Sequence, residues 1–184
     1  MDKVAIREAK WDEAGFVARM IRKMVEEMAS YGGYAPAVDS TAWEQMIAAV
    51  ADELKGNTVK YLIAESVDGD GLGVAGAELI TLGGAFATKR TLHLSVVYVL
   101  PQFRRGGIGG GLIAEILHWG HASGAEQCSL NVLSGNPAMS LYERHGFSVF
   151  EVKMVRSLSR QSLPKTRSNE ETLHPSENQK GARE

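Results

Sequence analysis

Between Arg104 and Gly111 the chain carries two guanidinium groups and then five glycines, Arg104-Arg105-Gly106-Gly107-Ile108-Gly109-Gly110-Gly111. Residues of these types at this spacing have the makings of an anion site, although a lone glycine cluster is more often a flexible loop with solvated arginines. Glycine lets consecutive backbone N–H groups turn toward one point with no Cβ in the way, and a helix that begins there adds about half a positive charge. Each glycine also weakens a helical turn by up to about 1 kcal/mol relative to alanine, a cost that a closely approaching ligand would explain. A triphosphate-binding loop is excluded, because it needs Gly-Lys followed by Ser or Thr and Leu112 follows Gly111 here. A dinucleotide fingerprint ranks lower too: Leu112 stands where the third glycine belongs, and the stretch lies in mid-chain.

A second motif decides which anion is meant. Asn136-Pro137-Ala138-Met139-Ser140-Leu141-Tyr142-Glu143-Arg144-His145-Gly146-Phe147 follows about thirty residues on. Arg104-x-x-Gly107-x-Gly109, placed after an apolar strand ending in Leu100-Pro101 and before Leu141-Tyr142-x-x-x-Gly146-Phe147, resembles the GNAT superfamily of acetyl-CoA-dependent N-acetyltransferases. The likeness runs from residue 3 to about residue 156. It implies an α/β fold with a mixed, mostly antiparallel sheet flanked by four helices, in which the fourth and fifth strands splay apart around the pantetheine arm of acetyl-CoA. It further implies that the backbone of Val97, Tyr98 and Val99 pairs with that arm. Arg104 and the N–H groups of Arg105, Gly106, Gly107, Ile108, Gly109 and Gly110 would then receive the diphosphate, with Asn136 and Tyr142 against the coenzyme. One departure is visible: Asn136 stands one residue closer to the tyrosine than in most relatives.

The reaction itself dictates three further groups. An alkyl ammonium must lose a proton before its nitrogen can attack a thioester carbonyl, the oxyanion that forms needs an N–H donor, and the departing thiolate needs a proton. Val99, from its place at the strand end, is the candidate N–H donor. Tyr142 resembles the family tyrosine beside the coenzyme sulfur, and a phenol of ordinary pKa about 10 can protonate a thiolate of pKa about 8.5. Its plainer role is packing against Phe147. Relatives often carry the base as Glu or Asp on the fourth strand, where this chain has Ser95 and Val96. Two candidates remain. His93 alternates with Ser95, Val97 and Val99 and is therefore expected on the coenzyme side, and imidazole exchanges protons near neutral pH. Glu78 interrupts an apolar run, where a carboxylate is costly unless it faces a wet cleft. Either residue can equally be a satisfied structural polar group. Tyr31 and Tyr34, between the first two helices, fall where the acceptor wall forms in relatives, and their rings could hold an ammonium or cap the core.

These groups need a scaffold. A short strand at Val4 and Ile6 precedes an amphipathic helix whose stripe is Phe16, Val17, Met20, Ile21, Met24, Val25 and Met28, with Arg19, Arg22, Lys23, Glu26 and Glu27 on its polar face. Thr41 and Glu44 have capping-box spacing for a second helix ending near Gly56. Extended runs at 59–67 and 72–82 flank Asp68-Gly69-Asp70-Gly71 as a hairpin, and a third run spans 91–100. The glycine stretch opens a helix through Leu112, Ile113, Ile116 and Leu117. A strand at 127–133, a short helix at 136–145 and a last strand at 147–155 complete the domain. Residues 157–184 are polar and are expected to be a disordered tail, which leaves residues 1–156 as one acetyltransferase domain.

Composition narrows the partners. In 184 residues, 44% hydrophobic and 23% charged, twenty basic and twenty-two acidic side chains give a net charge of −2, so nucleic acid is not expected. No run of eighteen apolar residues or signal segment is present, so the expectation is a cytoplasmic protein without membrane attachment. The single cysteine, Cys128, builds no disulfide within the chain, and His118 and His121 have no third ligand in reach, so no metal is expected. The expected acceptor is a small-molecule primary amine such as an amino acid, polyamine or amino antibiotic. Protein N-terminal or lysine acetylation is the nearest alternative, and a non-catalytic CoA-binding sensor is another. Homodimers are the common case for such domains.

Overall fold

The computed structural model describes residues 4–32, 39–84 and 89–156. Five strands form one sheet in the order β1 (Ala5–Glu8), β2 (Val59–Glu65), β3 (Gly71–Leu82), β4 (Lys89–Val99), β5 (Gln127–Leu130). Every neighbouring pair is antiparallel except β4 and β5, which are parallel and joined through α3 (Ile108–Ala122). This is the mixed, mostly antiparallel sheet with four helices that the resemblance implies. Among the described residues, no helix is long and apolar enough to cross a membrane.

The two faces of the sheet are covered differently. On one face α1 (Ala14–Ala29) buries Val17, Met20 and Ile21 against Tyr61, Ile63, Val74, Val96 and Tyr98, with Val50 of α2 (Ser40–Glu53) in the same cluster. On the other, Leu112, Ile113 and Ile116 of α3 are fully buried on Leu62, Ala75, Leu92, Leu94 and Val99. Each such side chain contributes roughly 1.5–3 kcal/mol by leaving water. The expected helices and hairpin are present, but α2 is capped by Asp39, whose carboxylate accepts from the Thr41 N–H at 3.0 Å, rather than by a Thr41–Glu44 box. Asp39 caps the helix from two residues before the predicted cap, accepting from the N–H of Thr41 itself.

A one-residue irregularity in β4 reorders the site. Gly76 pairs with Val96 but Ala77 pairs with Leu94, so Ser95 is an extra residue, and its hydroxyl donates to the Gly76 carbonyl at 3.1 Å. Such a bulge inverts the alternation of side chains beyond it. Leu92 and Leu94 face α3 before it and Val99 faces α3 after it, whereas Val96 and Tyr98 face α1. The expectation that His93 shares a face with Val97 and Val99 is thereby overturned; His93 belongs to the face of Val96 and Tyr98.

Residues 149–156, which form part of a separate unit, carry no regular secondary structure. The last strand expected at 147–155 is therefore not formed. Val149, Phe150, Val152, Met154 and Val155 are all exposed. Apolar alternation is necessary for a half-buried strand, but a strand also needs a neighbouring backbone to pair with. The tail expected at 157–184 lies outside the described residues.

Candidate active site

The sheet opens where β4 and β5 part. Their parallel pairing runs from Thr91 with Gln127 to Leu94 with Leu130, and β5 ends there while β4 continues to Val99. Leu100 donates to the Leu72 carbonyl at 2.9 Å, so by alternation Tyr98 also turns its backbone to β3, and the backbone polar groups of Val97 and Val99 face away from β3 into the gap. Asn131, Val132 and Leu133 line the far side of a cleft of about 910 Å³ that has Val97, Tyr98 and Val99 on the near side.

The glycine stretch forms the end of this cleft. Gly107 is the N-cap of α3 with φ of 85°, a left-handed conformation that a β-branched residue reaches only with strain, and Arg105 is held at φ of 64° just before it. The first intrahelical bond runs from the Gly111 N–H to the Gly107 carbonyl at 2.9 Å. The N–H groups of Ile108, Gly109 and Gly110 precede it, and a helix offers no internal acceptor to such groups. All three residues line the cleft, as do Arg104 and Arg105.

The glycines also have a packing role that sequence reasoning missed. A Cβ on Gly109 would lie 3.3 Å from Leu141 Cδ2, and one on Gly110 would lie 3.2 Å from His145 Nε2. They let α3 press its first turn onto α4 (Met139–Arg144). His145 is fixed by its Nδ1, 2.8 Å from the Leu141 carbonyl, which can only accept, so Nδ1 carries the proton. A ligand is thus not the sole account of this glycine content.

Tyr142 projects from α4, lines the cleft and meets Phe147 edge-on, with ring centroids 6.0 Å apart at 75°. Burial pushes its phenol above the ordinary value, because phenolate loses more than phenol when water is withdrawn. His93 also lines the cleft, with Nδ1 3.1 Å from the Ser129 hydroxyl. Glu78 lies directly opposite His93 in the β3–β4 register but is outside the cleft lining. Asn136 lines the cleft and uses its side-chain oxygen to accept from the Ala138 N–H at 2.9 Å, at the start of α4. The Cys128 thiol is pushed up to about 11 by burial, which keeps it protonated and a poor nucleophile. Tyr34 lies outside the described residues.

The group least expected from the sequence is Glu27. Its spacing puts it among the charges on the polar face of α1, yet it lines the cleft with Met24, Met28 and Tyr31. Arg104 grips its carboxylate with both terminal nitrogens, at 2.9 and 2.6 Å, and the Tyr31 hydroxyl donates to the same carboxylate at 3.0 Å. The Nε of Arg104 donates to the Val99 carbonyl at 2.8 Å, and its guanidinium lies over the Tyr98 ring, 5.3 Å from the centroid. The hydrogen bonds from Arg104 hold the Glu27 carboxyl below its ordinary pKa.

A strand edge opened by a departing neighbour, a helix that starts on glycine beside it and a half-buried tyrosine thus share one cleft. Comparison with known proteins gives the same class. A family profile described as an acetyltransferase (GNAT) domain matches residues 57–149, about half of the chain. Thialysine N-epsilon-acetyltransferase of Bos taurus is 31% identical over 150 residues, spanning 78% of this chain and 83% of that protein. A predicted acetyltransferase from Clostridium acetobutylicum, solved with acetyl-CoA, has the same fold with a TM-score of 0.69 at 18% identity, over 85% of this chain and 97% of that one. An aminoglycoside N-acetyltransferase, AAC(6′)-Iy in complex with CoA, gives a TM-score of 0.61 at 20% identity over 86% and 97%. The chain belongs to the GNAT family of acetyltransferases. Within that family it is an acetyl-CoA-dependent N-acetyltransferase.

Proposed function

We propose that the enzyme acetylates a primary amine of a small molecule by direct attack within a ternary complex, in the cleft between β4 and β5. The observation that carries this reading is the strand edge: β4 loses its β5 partner after Leu94, and its unpaired backbone lines the same cleft as the first turn of α3 and Tyr142. The cleft fits acetyl-CoA in two respects. Its end offers the N–H groups at the start of α3 to a diphosphate, and its side offers the extended backbone of Val97 and Val99 to an amide-bearing arm.

Acetyl-CoA supplies an activated thioester. The protein does the rest with few groups. The Val99 N–H stabilises charge on the carbonyl oxygen, and Tyr142, kept protonated by burial, gives its proton to the sulfur. His93 is the better placed of the two base candidates, since it lines the cleft and Glu78 does not. Cys128, a thiol with its pKa raised, is an unsuitable acyl carrier, which favours direct attack over a covalent enzyme intermediate.

Support for a small acceptor comes from the relatives, whose names specify thialysine and aminoglycosides. Met24, Met28 and Tyr31 give the acceptor side an apolar wall that suits an aliphatic amine chain. The test is a panel of lysine, thialysine, spermidine and neamine with acetyl-CoA, read by release of free thiol. Release that depends on one of these amines supports the reading. Acetyl-CoA binding with no amine-dependent release from any of them, alongside acetylation of a peptide, would move the acceptor to protein.

A further inference from the structure

Arg104 begins the glycine stretch, yet its guanidinium is engaged by Glu27 and the Val99 carbonyl rather than left free for a diphosphate. Three of its nitrogens are already engaged: two in a fork on Glu27, and Nε on the Val99 carbonyl. The plane of a guanidinium is fixed by any two of its hydrogen bonds, so the Glu27 fork determines where Nε points. The Tyr31 hydroxyl fixes the carboxylate in turn. A chain of contacts thus runs from the acceptor wall of α1, through Glu27 and Arg104, to the last peptide of β4. It joins residues 77 apart in sequence.

We propose that Glu27 is a positioning residue for acetyl transfer: it orients Arg104 so that the guanidinium caps the Val99 carbonyl, and it cancels the Arg104 charge where a cationic amine must enter. This rests on the acetyltransferase reading of the cleft and extends it to the acceptor side. The capping has a geometric consequence. With the Val99 carbonyl taken by Arg104 and the Val99 N–H directed to the thioester oxygen, the coenzyme arm is left with the Val97 groups, and the peptide that carries the Val99 carbonyl cannot rotate without breaking the Arg104 contact. The charge has an electrostatic one. The fork is about one-third exposed on both sides, so an unpaired Arg104 would repel an ammonium through partly screened space, an effect that weakens as salt is added. The raised Arg104 pKa and lowered Glu27 pKa agree with an ionised pair.

The experiment is a kinetic double-mutant cycle on the full chain with Glu27→Gln, Arg104→Gln and the pair. It uses acetyl-CoA and, as acceptor, the panel amine with the fastest thiol release. Each single variant should lower kcat/KM for the amine by about tenfold or more, and the double variant should lose no more than the worse single. In Glu27→Gln the rise in amine KM should shrink as salt increases, and it should be relieved in the double variant, where the uncancelled charge is gone. Loss of packing alone moves neither readout in that way. Tyr31→Phe, which removes one hydroxyl and threatens the fold least, should change kcat/KM in the same direction by a few-fold. Multiplicative losses in the double variant, or wild-type kinetics in Glu27→Gln, would overturn the proposal while leaving the acetyltransferase reading intact. Failure of the wild-type chain to bind acetyl-CoA by calorimetry would remove both.

Discussion

The two halves of the cleft are built by different means. The half proposed for the coenzyme is made of backbone: the edge of β4, the left-handed Gly107 and the first N–H groups of α3, all within one stretch of chain. The half proposed for the acceptor is made of side chains brought together from separate elements, with Glu27 from α1 and Tyr31 from the turn after it meeting Arg104 from the loop before α3. A backbone site is robust to most side-chain changes but not to a change of φ. A side-chain site can be retuned by single substitutions, which suits a fold that keeps one donor and varies the acceptor.

That contrast can be broken by experiment. The largest effect is expected in the backbone half: Gly107→Val forces a β-branched residue to a φ of 85°, where strain is of order 1–3 kcal/mol, and should abolish measurable acetyl-CoA binding. Circular dichroism should show the domain still folded; unchanged calorimetric binding would mean the coenzyme does not use this turn. Next comes Tyr142→Phe, for which turnover should fall about a hundredfold with little change in acetyl-CoA affinity. A collapse of affinity with turnover per bound enzyme retained would make Tyr142 a packing residue only. The same assignment fixes a pH dependence. A general acid works protonated, so activity is lost as pH rises through its pKa, and burial has moved that pKa upward. Wild-type kcat should therefore show no loss attributable to Tyr142 below about pH 10, the ordinary phenol value. The smallest effect separates the base candidates: His93→Gln should lower kcat by about tenfold and Glu78→Gln by less than about twofold, and the reverse order would exchange their roles.

The same contrast explains what the sequence disclosed. The glycine loop and the Tyr142 helix were legible because backbone sites leave their mark in contiguous residue types, glycines before a helix and apolar runs for strands, whereas the parting of β4 from β5 was implied only by the family resemblance. Glu27 left no such mark. On α1 it reads as one more solvated charge beside Glu26, and its partner is far along the chain. The bulge at Ser95 was equally silent, since a single serine in an apolar strand does not announce an extra residue, yet it decides which face His93 occupies. Residues 147–155 erred in the other direction: their apolar alternation satisfies one requirement of a strand while saying nothing of a partner for its hydrogen bonds.

The central claim is that the β4 edge beyond Leu94 and the first turn of α3 receive acetyl-CoA. Backbone amide exchange measured by NMR with and without saturating acetyl-CoA tests it at single residues. The account predicts slowed exchange at Val97, Val99, Ile108, Gly109 and Gly110, with no change at Tyr98, whose N–H is directed to β3. Bound coenzyme that leaves Val97 and Val99 exchanging at their free rates would contradict it.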